Sequence, residues 1–129
     1  MILLDTHVVV WLAGDKTQLS AHAERAISEA RADGGLAISD MTLLELATLA
    51  NKRRIELTIS LESFLQEVET NFVVLPINGR ICVRALGLPA GYPKDPADRI
   101  IAATALVAGL PLVTADRSIR RSKALETIW

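Results

Sequence analysis

Short runs of β type alternate along this chain with longer stretches of helical period, a pattern that a parallel sheet covered by helices satisfies. Ile2-Leu3-Leu4 is the first run and stops at Asp5. Leu36-Ala37-Ile38 is the second; Phe72 to Leu75 is the third, ended by Pro76; Leu110 to Thr114 is the fourth. A short last strand fits near Leu125 to Ile128. Between them, Thr6 is placed to cap a short helix through Leu12, and Ser20 caps one carrying Ala23, Ala26, Ile27 and Ala30 on one face. Asp40 to about Lys52 keeps the helical period through Leu43, Leu46, Ala47 and Ala50. Ser60 opens a helix with Leu61, Phe64, Leu65 and Val68, and Asn78 to Leu86 is helical through Ile81, Cys82, Ala85 and Leu86. After a Gly- and Pro-rich loop, Asp95 caps a helix with Pro96 at its first position, running to Gly109.

The chain's 129 residues suit one domain, 1–129. Cys82 stands alone, so neither a disulfide framework nor a Cys-based zinc site is possible; the thiol reads as a buried core residue in a reducing compartment. With 14 Lys or Arg against 15 Asp or Glu, any nucleic acid must be met by a local patch rather than by overall charge. The longest apolar stretch, Ile100 to Val113, holds a Gly and a Pro and is too short to cross a bilayer. No basic region precedes the N-terminal apolar run, which argues against a secretory signal and for a cytoplasmic protein without membrane contact.

Four acids stand apart from those on solvated faces. Asp5 and Asp116 follow strands at their carboxyl ends, where open α/β sheets bind ligands. Glu45 has apolar neighbours on both sides, Leu44 and Leu46, and Asp98 shares a stripe with Ile101, Ala102 and Ala105. Each has an ordinary reading as well. Asp5 can cap a helix, Glu45 can reach water at an edge, Asp98 can favour the helix dipole, and Asp116 can cap the turn from Arg117 to Arg121. Capping, however, requires only one of Asp95 and Asp98. Taken together, the four fall on one edge of a parallel sheet. Close pairs there repel by roughly 1 to 4 kcal/mol, or raise one another's pKa. Divalent cations resolve that conflict, and an all-oxygen donor set suits Mg²⁺ or Mn²⁺.

Leu3-Leu4-Asp5-Thr6-His7, Ser39 followed six residues later by Glu45, the segment Asp95 to Ala105, and Leu112-Val113-Thr114-Ala115-Asp116 together resemble PIN-domain ribonucleases. Among these the chain is most similar to the VapC toxins of bacterial type II toxin–antitoxin systems. The resemblance spans the whole chain, and the Asp95–Ala105 segment is its most specific part. It implies a three-layer α/β/α PIN-like fold around a central parallel sheet of about four to five strands. It also implies a Mg²⁺ site built from Asp5, Glu45, Asp98 and Asp116, and endonucleolytic cleavage of RNA. Thr6, Ser39 and Thr114 match polar residues that steady the carboxylates, while Asp95 stands either as a cap or as a further ligand. Toxins of this kind form homodimers and are neutralised by a VapB-type antitoxin, for which Val8 to Leu12 is a candidate contact if it is not simply a buried first helix.

With metal ions to activate water, no histidine base is needed, so His7 and His22 read as packing or surface residues. Arg117, Arg120, Arg121 and Lys123, next to Asp116, are candidates for RNA phosphate contacts. Lys52-Arg53-Arg54 forms a second basic cluster, and Arg99 could pair with a carboxylate. Aromatic residues are too sparse for a broad stacking platform. The alternatives are a catalytically silent PIN-like module that binds an antitoxin, and a phosphotransferase with Asp5 as nucleophile. The latter wants a second Asp two residues on, where His7 stands.

Overall fold

The computed structural model describes residues 1–129 and contains five parallel strands, β1 (Ile2–Leu4), β2 (Leu36–Ser39), β3 (Val73–Leu75), β4 (Leu112–Val113) and β5 (Thr127–Ile128), in the order β3-β2-β1-β4-β5. Every pairing is parallel: Leu3 stands opposite Ala37 on one side and Leu112 on the other. The sequential order reverses between β1 and β4. In open α/β sheets such a switch point, outside the carboxyl ends of the two central strands, is where ligands bind.

Seven helices cover the sheet: α1 (Thr6–Ala13), α2 (Ala21–Ala32), α3 (Asp40–Asn51), α4 (Leu61–Asn71), α5 (Gly79–Leu86), α6 (Pro96–Ala108) and α7 (Arg117–Ser122). Because side chains alternate across a strand, β1 feeds two cores. Ile2 and Leu4 join Ile38, Val8, Val9, Ala23, Ile27 and Val68 on the side of α1, α2 and α4. Leu3 faces the other way and packs with Ala37, Leu112, Ile101, Ala105 and Ile119 beneath α6 and α7. The layering is therefore helix, sheet, helix, as expected, with α5 laid outside α6 through Ile81, Ala85 and Ala103. No helix is long and apolar enough to cross a membrane.

Several local expectations change. Asp5, not Thr6, caps α1, its carboxylate accepting the Thr6 N–H at 2.9 Å. Val8 and Val9 are buried, so the apolar run of α1 is in large part core. Cys82 is exposed. Only Ile81 and Ala85, four residues apart, face inward on α5; Cys82 lies about 100° round the helix, and Leu86 is 86% exposed. The chain after Asp116 forms a helix, α7, rather than a turn. Arg99 reaches backbone carbonyls, those of Ala85 at 3.2 Å and Tyr92 at 3.4 Å, instead of a carboxylate.

Candidate active site

Asp5 leaves β1 at the switch point and is 4% exposed, so its charge has to be met from within. Its Oδ1 accepts from the Thr6 amide, and its Oδ2 accepts from the Thr114 hydroxyl at 2.8 Å. The same hydroxyl oxygen accepts the Asp116 N–H at 3.1 Å. Buried Thr114 thus ties the acid after β1 to the acid after β4. Asp116 then turns its Oδ1 to the Ile119 N–H, capping α7.

Glu45 comes from the middle of α3. Its Oε1 accepts from the Thr6 hydroxyl at 2.6 Å, and Thr6 Oγ1 lies 3.0 Å from the hydroxyl of Thr42. Since Thr6 donates to Glu45, Thr42 donates to Thr6, and a relay of two hydroxyls runs into the carboxylate. Burial, with the charges of Asp5 and Asp95 adding to it, raises the Glu45 pKa against the lowering effect of the Thr6 bond.

Asp95 and Asp98 divide the work at the start of α6. Asp95 is exposed, and its Oδ1 accepts the N–H groups of Ala97 at 2.8 Å and Asp98 at 3.4 Å, so it is the cap. Asp98 is half-buried, and only its backbone enters hydrogen bonds, the carbonyl accepting from the Tyr92 hydroxyl at 3.2 Å. Burial first, then the charges of Asp5, Asp95, Glu45 and Asp116, push its carboxyl up to about 7. Tyr92, almost wholly buried beside the same acids, has its phenol pKa raised by burial and by their charge.

The four acids singled out in the sequence thus share one field, although they come from positions 5 to 116 of the chain. No Lys or Arg nitrogen lies within 4 Å of any of them, and the nearest ring nitrogen is His7 Nδ1, 3.6 Å from Asp5 Oδ2. Excess negative charge, oxygen donors only and a carboxyl pushed up to about 7 make a donor set that fits a hard divalent cation. No three His, Cys, Asp or Glu side chains already close on a common point.

Of the remaining residues, Ser39 is fully buried and caps α3 through the Met41 N–H, with no bond to a carboxylate. His7 is more than packing. Its Nε2 accepts the Ala115 N–H at 3.0 Å, which leaves the ring proton on Nδ1, facing Asp5. The ring also packs edge-on against Trp11, with centroids 4.9 Å apart. His7, Thr42 and Tyr92 are site residues that sequence reasoning missed. Thr42 had one signal, a hydroxyl on the same helical face as Glu45; His7 had only its place two residues after Asp5.

Arg117, Arg120, Arg121 and Lys123 line an open depression of about 420 Å³ with no other residue. All four are exposed, and none is in an ion pair.

Residues 2–125 match the family model of the PIN domain. The chain is 38% identical to ribonuclease VapC22 of Mycobacterium tuberculosis over 99% of its own length and 98% of that protein's. Among solved structures it is similar to DNA-bound VapBC from Salmonella typhimurium, at 25% identity and a TM-score of 0.71, covering 98% of this chain and 97% of that one. It is also similar to a toxin–antitoxin complex from Klebsiella pneumoniae, at 26% identity and a TM-score of 0.63, over 90% and 87% of the two chains. VapBC2 from Rickettsia felis, bound to a promoter DNA fragment, shares the fold at 19% identity, with a TM-score of 0.76 over 98% and 97%.

Proposed function

This chain belongs to the PIN domain family, and from that membership we propose that it is a VapC-type endoribonuclease toxin that hydrolyses RNA phosphodiester bonds with Mg²⁺. One observation carries the reading. Carboxylates from β1, α3, α6 and the end of β4 gather at one place, where burial first and then their mutual charge push Asp98 up to about 7, with no Lys or Arg paired to any of them.

Asp5, Asp98 and Asp116, with Glu45 beside them, would hold the ion; Mn²⁺ has the same preference for oxygen and would substitute. A divalent cation bound there supplies charge neutralisation for a phosphodiester under attack and lowers the pKa of a water. The chain's own part is positional. Thr114 fixes Asp5 and also holds the Asp116 backbone, and His7 holds the Ala115 amide between them; the Thr42–Thr6 relay aims one oxygen of Glu45 and leaves the other free to orient a water. Asp98, unbonded to protein through its carboxyl, is free to move onto an ion. The depression of Arg117, Arg120, Arg121 and Lys123 begins one residue after Asp116, where RNA phosphates would be met.

The relatives that carry antitoxin in their complexes support a VapB-type partner for this chain too. Val83 and Leu86 on α5, 73% and 86% exposed, are an apolar face open to a second copy, in keeping with a homodimer.

The test is the purified chain, free of antitoxin, with a pool of structured RNAs in Mg²⁺ or in chelator. Cleavage is expected in Mg²⁺ alone and lost in Asp5→Ala and Asp98→Ala. Cleavage that persists in chelator, or in both variants, refutes the reading.

A further inference from the structure

The second basic cluster, which the acid site does not use, ends α3 in a way that aims it. Arg54 N–H bonds to the Leu49 carbonyl at 2.9 Å and Arg53 N–H to that of Ala50 at 3.1 Å, the paired bonds of a Schellman motif. The left-handed residue such a motif needs is normally Gly; here it is Arg53, at φ 56°. The reversal sorts the three cations. Lys52 and Arg54 line one groove, of about 360 Å³, while Arg53 lines another between α3 and the start of α4.

Glu45 lines the same groove as Lys52 and Arg54, and Ala97, next to Asp98, forms part of its other wall. Glu45 and Lys52 are seven residues apart, so they lie on the same helical face about 10 Å from each other along the axis. Thr48 and Leu49 line the groove between Glu45 and Lys52, and Met41 and Leu44 line it on the other side of Glu45 and beside it; Leu44 is 62% exposed. Lys52 and Arg54 are exposed and pair with no acid. Favourable charge at a helix C-terminus explains why cations stand there, but not why two of them face an apolar trough that runs to the acids.

We propose that this α3 groove seats the single-stranded RNA flank on one side of the scissile phosphate. Its backbone phosphates lie on Lys52 and Arg54, and a base lies against Met41, Leu44 and Leu49. The inference rests on the ribonuclease reading and adds to it a strand path. The RNA crosses the acids with one basic patch on α7 and a second at the end of α3, so the two flanks are held separately. An apolar trough with cations at its far end matches a nucleotide's flat base and charged backbone. Charge complementarity and continuity with Glu45 select RNA over a second copy of the chain as the occupant.

The experiment measures binding of a short labelled single-stranded RNA to the full chain in chelator, across a salt series, for wild type, Lys52→Ala/Arg54→Ala and the control Arg25→Ala. Removal of two phosphate contacts is expected to weaken binding about tenfold or more at low salt and to flatten the slope of log K against log salt by about 1.4. Arg25→Ala, on the exposed face of α2, is expected to change neither. Thermal unfolding and sedimentation of the double variant accompany the titration. An unchanged slope, with wild type binding and cleaving RNA, overturns the groove while leaving the ribonuclease reading in place. A loss of self-association with unchanged RNA binding assigns the groove to a second copy and also overturns it. A wild-type chain that neither binds nor cleaves RNA overturns both.

Discussion

Replacing Asp98 by Asn should make the ion-free protein more stable and the enzyme inactive. The Asp98 carboxyl is raised from 3.8 to about 7, first by burial and then by Asp5, Asp95, Glu45 and Asp116. Each pH unit of that rise is worth about 1.4 kcal/mol, so the fully developed effect is about 4 kcal/mol. The carboxyl is half-buried, and solvent screening leaves about 1 to 2 kcal/mol of it. The sign follows from proton linkage. A group that holds its proton more tightly when folded loses stability as pH rises from its unfolded pKa, near 4, through its folded pKa, near 7. Asn has the same shape and no charge, and the native carboxyl receives no hydrogen bond from the protein that Asn would forfeit. The assay is urea denaturation in chelator at pH 5 and pH 8. Wild type and Asp98→Asn are expected to be close at pH 5, with the variant ahead by about 1 to 2 kcal/mol at pH 8. Glu45, raised in the same direction, leaves a residual slope in both proteins, so the difference between them is the quantity to read. Saturating Mg²⁺ should then stabilise wild type and leave the variant nearly unmoved. A variant less stable than wild type at pH 8, or one that Mg²⁺ stabilises equally, refutes the electrostatic account of the site.

Thr114→Val removes the hydroxyl that serves both Asp5 and the Asp116 backbone; we expect a loss of roughly 2 to 3 kcal/mol in denaturant unfolding and cleavage reduced by more than tenfold. His7→Ala leaves the Ala115 amide without its acceptor and removes the ring that stands 3.6 Å from Asp5, and should cost about 1 kcal/mol in the same assay, with weaker Mg²⁺-induced stabilisation; a neutral result would remove His7 from the site. Thr6→Val breaks the relay into Glu45 and should lower cleavage more than RNA binding, read as kcat falling with KM little changed. Ile27→Ala, at 2% exposure in the core under α2, is the contrast: a cost of about 2 to 4 kcal/mol, with full specific activity in the molecules that remain folded.

Much of the fold is readable because its signals are local. Ser20, Ser60, Asn78 and Asp95 each cap the helix that their chemistry announces, and strand runs such as Leu36-Ala37-Ile38 mark the sheet. Failures arose where a local pattern met a tertiary choice. Cys82 and Leu86 fit a helical stripe, but α5 packs against α6 through Ile81 and Ala85 alone, so the stripe is narrower than the sequence suggests. Thr6 looked like a cap because a hydroxyl before an apolar helix usually is one. In the folded chain Asp5 takes that place, and the hydroxyl turns to a glutamate 39 residues away. Arg99 had carboxylates beside it in sequence and found carbonyls in space.

By itself the sequence determined the α/β architecture, the strand ends at which Asp5 and Asp116 stand, and the surplus of one acid at the start of α6, since these depend on periodicity and capping within a few residues. Only the tertiary structure decided that four acids from across the chain share one field, that His7 and Thr42 serve them, and that Lys52 and Arg54 open onto the same groove as Glu45. The physical reason is range. A hydrogen-bonded turn is settled by neighbours in sequence, whereas a field, a buried hydroxyl's partner and the facing of a groove are settled by whichever element the sheet's crossovers bring alongside.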